Sequence, residues 1–147
     1  MKNKLENQFV TYEIALVLKE LWFNEKCFGY YNDKMRFNIQ QHPEAFYSRN
    51  DSVSSWCTSI FASKQSKKNA CQAPLYQQVI DWFREEHNIH ITFLLGHDEI
   101  NIWYDYHIMK IENTFDYTPL FSSENGKSYE GAREQAILKA IELIKIK

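Results

Sequence analysis

Ile14, Val17, Leu18 and Leu21 recur at intervals of three and four, the spacing that lines side chains along one stripe of a helix. Thr11 precedes the run with a hydroxyl able to accept an unpaired first-turn amide, and Glu13 suits the positive end of the helix dipole. The pattern predicts a helix over about 12–22. A period of two then takes over. Phe28 and Tyr30, followed after "NDK" by Met35, Phe37 and Ile39, alternate as half-buried strands around an Asn/Asp turn, which predicts a hairpin. The stretch "APLYQQVIDWFREEHNIHITFLL", 73–95, opens as a helix and closes as a strand. Pro74 fits a first helical turn, where its missing N–H would have had no partner, and Tyr76, Val79, Ile80 and Phe83 share a face up to about His87. Beyond Asn88, Ile89, Ile91, Phe93 and Leu95 point one way; "GHDE" turns the chain, and Ile100, Ile102, Tyr104, Tyr106 and Ile108 repeat the alternation as a second hairpin. Pro119 and "SSENGK" end the strand region. Ser128 then caps a final helix whose stripe is Ala132, Ala136, Ile137, Ala140, Ile141 and Ile144.

The order α-β-β-α-β-β-α predicts an α+β fold of two layers. Its antiparallel sheet has about four strands built from two hairpins, with three helices covering one face. A chain of 147 residues suits a single domain, 1–147. Ile80, Phe83, Ile91, Tyr104, Ile137 and Ile141 are its expected core. Between His42 and Gln72 the periodic signals fade, leaving room for one short strand or turn of helix around 55–62.

Composition sharpens this picture in three places. Aromatic residues make up 16% of the chain against only 4 Gly and 3 Pro, which favours a packed fold over disorder. The formal charge of -2 offers no general field for phosphates, so nucleic acid is a disfavoured partner. The lysine cluster Lys64, Lys67 and Lys68 in "SKQSKKN" reads as a solvated loop, or else as the basic patch of a nucleic-acid accessory protein. Cys27, Cys57 and Cys71 are odd in number and widely spaced, as reduced thiols are. With no apolar run resembling a signal sequence or a span, the expected compartment is the cytoplasm.

Candidate chemistry is sparse. His87 and His90 form an HxxH pair, but Asn88 ends the helix between them and no third ligand has a suitable spacing, so no metal and no cofactor is expected. His97, Asp98 and Glu99 of "GHDE" are raw material for acid-base work, yet a hairpin turn favours the same residues. No GxSxG, Walker A, GxGxxG or HExxH motif occurs. The more informative pattern is the second hairpin's other face, to which a period of two sends Trp103, Asp105, His107 and Met109, with His90 and Thr92 on the neighbouring strand. That mixture of apolar area, hydrogen-bonding groups and imidazoles suits a protein partner or a small ligand. A non-enzymatic binding module is therefore the leading expectation, ahead of a nucleic-acid accessory protein and an enzyme with a dispersed site. The opposing expectation is that 42–72 or "NTFDYTPLFSSENGK" folds over the face and buries Trp103 as a minor core.

Three passages together, "TYEIALVLKELWFNEKCFGYYN", "APLYQQVIDWFREEHNIHI" and "SYEGAREQAILKAIELIK", resemble a family of small uncharacterised proteins of Bacteroidetes genomes, often found in a phage or mobile-element setting. The resemblance implies a bacterial or phage origin and transfers no catalytic residue. Trp22 departs from the family's pattern, which favours Gly there, the usual residue of a left-handed helix end. Either this helix ends differently or it runs on to Asn24.

Overall fold

A computed structural model describes residues 4–23, 25, 27–32, 34–39, 69–113, 116–123 and 128–145. The chain divides into two compact units, 1–78 and 79–147. It is α+β, with two three-stranded antiparallel sheets and three α-helices among the described residues.

The first unit holds a short 3-10 turn (Glu6–Gln8), α1 (Tyr12–Glu20), β1 (Gly29–Tyr31), β2 (Phe37–Ile39) and β3 (Cys71–Ala73). Thr11 caps α1 as its sequence suggests, its hydroxyl accepting the Ile14 N–H at 3.5 Å. Ile14, Ala15 and Leu18 form the buried stripe. The helix stops at Glu20 because Trp22 takes a left-handed conformation, φ 65°. Phe23 N–H then reaches the Leu18 carbonyl at 3.0 Å, and Trp22 N–H reaches that of Lys19 at 3.3 Å. This is the paired end that glycine normally makes, formed here by a tryptophan, with Phe23 buried beside Leu18. The helix ends within two residues of the expected 22 and stops short of the extension toward Asn24, and its end has the glycine geometry without the glycine.

The strand order is β2-β1-β3, with Tyr31 opposite Phe37 on one side and Cys71 on the other. Gly29 is buried between two rings; a Cβ there would lie 2.8 Å from Phe37 and 2.9 Å from Phe9. Lys19 Nζ, at the end of α1, donates to the Ala70 carbonyl at 2.7 Å, and Tyr12 Oη donates to the Asn69 carbonyl at 3.2 Å. Both bonds tie the helix to the approach to β3.

The helix α2 (Tyr76–His87) follows, then β4 (Ile89–His97), β5 (Ile102–Ile111), β6 (Tyr117–Ser122) and α3 (Tyr129–Lys145). Pro74 is not in the first turn of α2. Its carbonyl accepts the Val10 N–H at 3.0 Å, and the Leu75 N–H bonds instead to the side chain of Gln78, half of a capping box. Val79, Ile80, Trp82 and Phe83 are buried. Asn88 ends α2 in a left-handed turn, φ 54°, which Asn tolerates better than most residues.

In the second sheet, β4-β5-β6, α3 packs along β5 and β4. Ala132, Ala136 and Ala140 let its backbone approach the strands, and Ile137 and Ile141 fill the space between. Ser128 caps it through the Gly131 N–H at 3.2 Å. The expected alternation of β4 and β5 is present, but burial is graded along it. Ile89, Ile91, Tyr106 and Ile108 are buried, Tyr104 is only half-buried, and Leu95 and Ile102 are exposed. The reason is reach: Tyr129, at the start of α3, meets Phe93 and Tyr104 edge-on at 5.6 and 5.3 Å, and no turn of α3 precedes it to cover Leu95 and Ile102. Tyr104 therefore does not belong with the other five expected core residues.

The single four-stranded sheet gives way to two sheets of three. The first hairpin is completed by β3, from the end of the segment whose signals had faded. The second is completed by β6, which runs through Pro119. A proline that reads as a terminator is here an edge-strand residue, seated beside a bulge between Ile108 and Met109. The short element expected near 55–62 and the cluster Lys64, Lys67 and Lys68 lie outside the described residues.

Candidate functional site: the open face of the second sheet

The hairpin that builds this face turns on Asp98. Its carboxylate accepts the Ile100 and Asn101 N–H groups at 2.8 and 2.6 Å, and these backbone bonds hold the carboxyl below the usual carboxylate range. The acidic group of "GHDE" thus has a conformational task. The turn fixes a register in which Gly96 faces Trp103, Leu94 faces Asp105, Thr92 faces His107 and His90 faces Met109. All of these lie on the side of the sheet away from Tyr104, Tyr106 and Ile108, as a period of two requires.

The Trp103 indole lies over Gly96. A Cβ on Gly96 would collide with the indole, so the glycine serves as the floor on which the ring rests. The indole Nε1–H donates to Asp105 Oδ2 at 3.1 Å, which fixes the ring's direction. Asp105 is held in turn: Ser123 Oγ donates to its Oδ1 at 3.4 Å, while Oγ accepts the Tyr106 N–H at 2.7 Å. Ser123 N–H also donates to the Tyr106 carbonyl at 2.9 Å. The chain leaving β6 is thereby clamped to β5, and through Asp105 it orients Trp103. Trp103, Asp105, His107, Met109, His90 and Thr92 are each partly exposed.

Beside this group, an open depression of about 500 Å³ follows the β5–β6 seam. His107, Met109, Tyr117, Pro119 and Phe121 are among its walls. It exists because the bulge at Ile108/Met109 sets β6 slightly out of step with β5. On the covered side, Phe121 stacks on Tyr106 at 5.6 Å and carries the Lys139 ammonium 4.9 Å from its ring centre. Exposed Tyr117 and Leu94 extend the apolar area on the open side.

The described part of segment 113–127 does not fold over Trp103; it forms β6 and widens the face edgewise. Of the other expected cover, 42–72, residues 42–68 lie outside the described residues. The structure brings His90 and His107 onto one surface with Trp103 and Asp105, but separates His87 from them. His87 ends α2 with its ring edge-on to Trp82 at 4.5 Å. Among the described residues, no three His, Cys, Asp or Glu side chains cluster as a metal site would require. Three contributors were not apparent in the sequence. Gly96 and Ser123 read as turn residues, and Pro119 as a stop; only the pairing of strands gives them their roles.

No family model, no curated protein and no solved structure matches the chain. Among the described residues, no helix is long and apolar enough to cross a membrane.

Proposed function

We propose that the chain is a non-enzymatic binding module that docks a protein partner on the open face of β4-β5-β6. The observation that carries this reading is Trp103: a large aromatic side chain, partly exposed, whose orientation is fixed by Gly96 beneath it and by Asp105 at its N–H. An aromatic anchor immobilised before binding contributes area at little entropic cost, which is the usual character of an interface hot spot. The neighbouring depression receives a side chain from the partner, and His107 and His90 supply hydrogen-bonding groups at its margin.

An acid-base role for the same residues is less well supported, because Asp105 already accepts from both Trp103 and Ser123. The reading as an accessory protein of phage or mobile-element type, acting in the cytoplasm, rests on the three sequence passages that resemble such a family. Affinity capture from a bacterial host that encodes the chain, followed by titration of the purified partner, tests the proposal. Trp103→Ala should leave the circular dichroism spectrum and the melting temperature nearly unchanged while weakening binding by about 2 kcal/mol or more. An unchanged affinity would overturn it.

A further inference from the structure

Among the described residues, the two outer edges of the second sheet pair with no further strand, and they differ in kind. β6 is short and interrupted by Pro119 and a bulge, two of the devices by which edge strands avoid pairing. β4 has nine residues, "IHITFLLGH", with no proline, no Lys or Arg, no Asp or Glu, and no register shift against β5. Its outward groups can be assigned. The Ile111 N–H bonds to the Asn88 carbonyl and the Asp98 N–H to the Asn101 carbonyl, so even-numbered residues of β4 face β5 and odd-numbered ones turn their N–H and C=O away. Ile89 and Ile91 are buried at the inner end. Phe93, Leu95 and His97 form the open half, and among the described residues no hydrogen bond is made to their outward groups. The same end of the hairpin carries three well-exposed apolar side chains: Leu95 is 59% exposed, Ile102 71% and Ile100 89%.

From this coincidence we infer that the chain forms a two-fold dimer by antiparallel pairing of the outer half of β4 with the same strand of a second copy, centred on Leu95. In that register Leu95 meets its own counterpart, Phe93 meets His97 and Leu94 meets Gly96, so all outward N–H and C=O groups of Phe93, Leu95 and His97 are satisfied. A second copy fits better than a foreign strand for two reasons. The segment carries no formal charge to repel itself, and the acidic residues beyond it, Asp98 and Glu99, fall opposite Thr92 and Ile91 rather than opposite each other. Centring on Phe93 would require the ladder groups of buried Ile89 and Ile91. The product is a six-stranded sheet with both copies of α3 on one face and both copies of Trp103 on the other. The exposed Leu95 and Ile102 side chains come together between the two helix starts.

Sedimentation velocity of the full chain, from low to high micromolar concentration, tests the inference together with amide hydrogen exchange. The expected result is a reversible monomer–dimer equilibrium in which the amides of Phe93, Leu95 and His97 exchange more slowly as concentration rises. Leu95→Lys should weaken dimerisation by more than about tenfold with an unchanged circular dichroism spectrum, since the residue is exposed in the monomer. Thr118→Lys, on the β6 edge, should dimerise as the parent does. A chain that stays monomeric throughout would overturn the inference, as would a Leu95→Lys variant that dimerises normally. Slow exchange of these three amides already in the monomer would also overturn it, because the edge would then be covered from within the chain.

Discussion

Trp22 shows how one residue can carry a cost that the surrounding chain absorbs. Its left-handed backbone is disfavoured for any side chain with a Cβ, by about 1–2 kcal/mol, and its indole is 68% exposed. Trp22→Gly should therefore raise stability by about 0.5–1 kcal/mol in urea unfolding. A loss instead would mean that the indole's contacts outweigh the strain. Gly96 is the opposite case, a residue kept small by a neighbour: Gly96→Val should displace the indole and shift the Trp103 Nε1–H resonance while the strand persists. Cys71 and Tyr31, opposite each other in the first sheet, are both pushed up to about 12, chiefly by burial. A raised value means that the folded state holds the neutral group. Their contribution is thus complete below the thiol's ordinary 9.0 and is lost as pH climbs from there toward 12. Unfolding midpoints should fall across that range, and Cys71→Ser should flatten the decline near its lower end. A midpoint constant from pH 8 to 11 would contradict the assignment.

At the scale of elements, helix caps and core stripes were legible in the sequence because they depend on neighbours three or four residues away. Thr11 and Ser128 cap as their positions suggest, and Ile137 and Ile141 are buried as their spacing suggests. Ser128→Ala should cost about 1 kcal/mol, and Ile137→Ala or Phe83→Ala about 2–5 kcal/mol, both by chemical denaturation. What the sequence left hidden depends on distant pairing. The three residues of β3 are too short to show a period, and Pro119 conceals β6 because the chain does not reveal which strand will lie at an edge. Exposure along β4 and β5 was equally hidden: the pattern is the same at Ile91 and Leu95, and only the point where α3 begins separates a buried position from an open one. The site followed the same division. Trp103, Asp105, His107 and His90 share a face by simple alternation, whereas Ser123 and Gly96 enter only through cross-strand geometry.

Across the whole molecule, each unit builds a small antiparallel sheet with helical cover, and among the described residues it is the second that combines a fixed, partly exposed tryptophan with an adjoining depression. In the proposed function, this face receives a protein. A titration of isotope-labelled chain with the captured partner, followed by NMR, tests it most directly. The Trp103 indole N–H, the His107 ring and the Met109 methyl should shift first and saturate together, while the buried methyls of Ile137 and Ile141 beneath α3 stay in place. Saturable binding that leaves Trp103, His107 and Met109 unperturbed would contradict it.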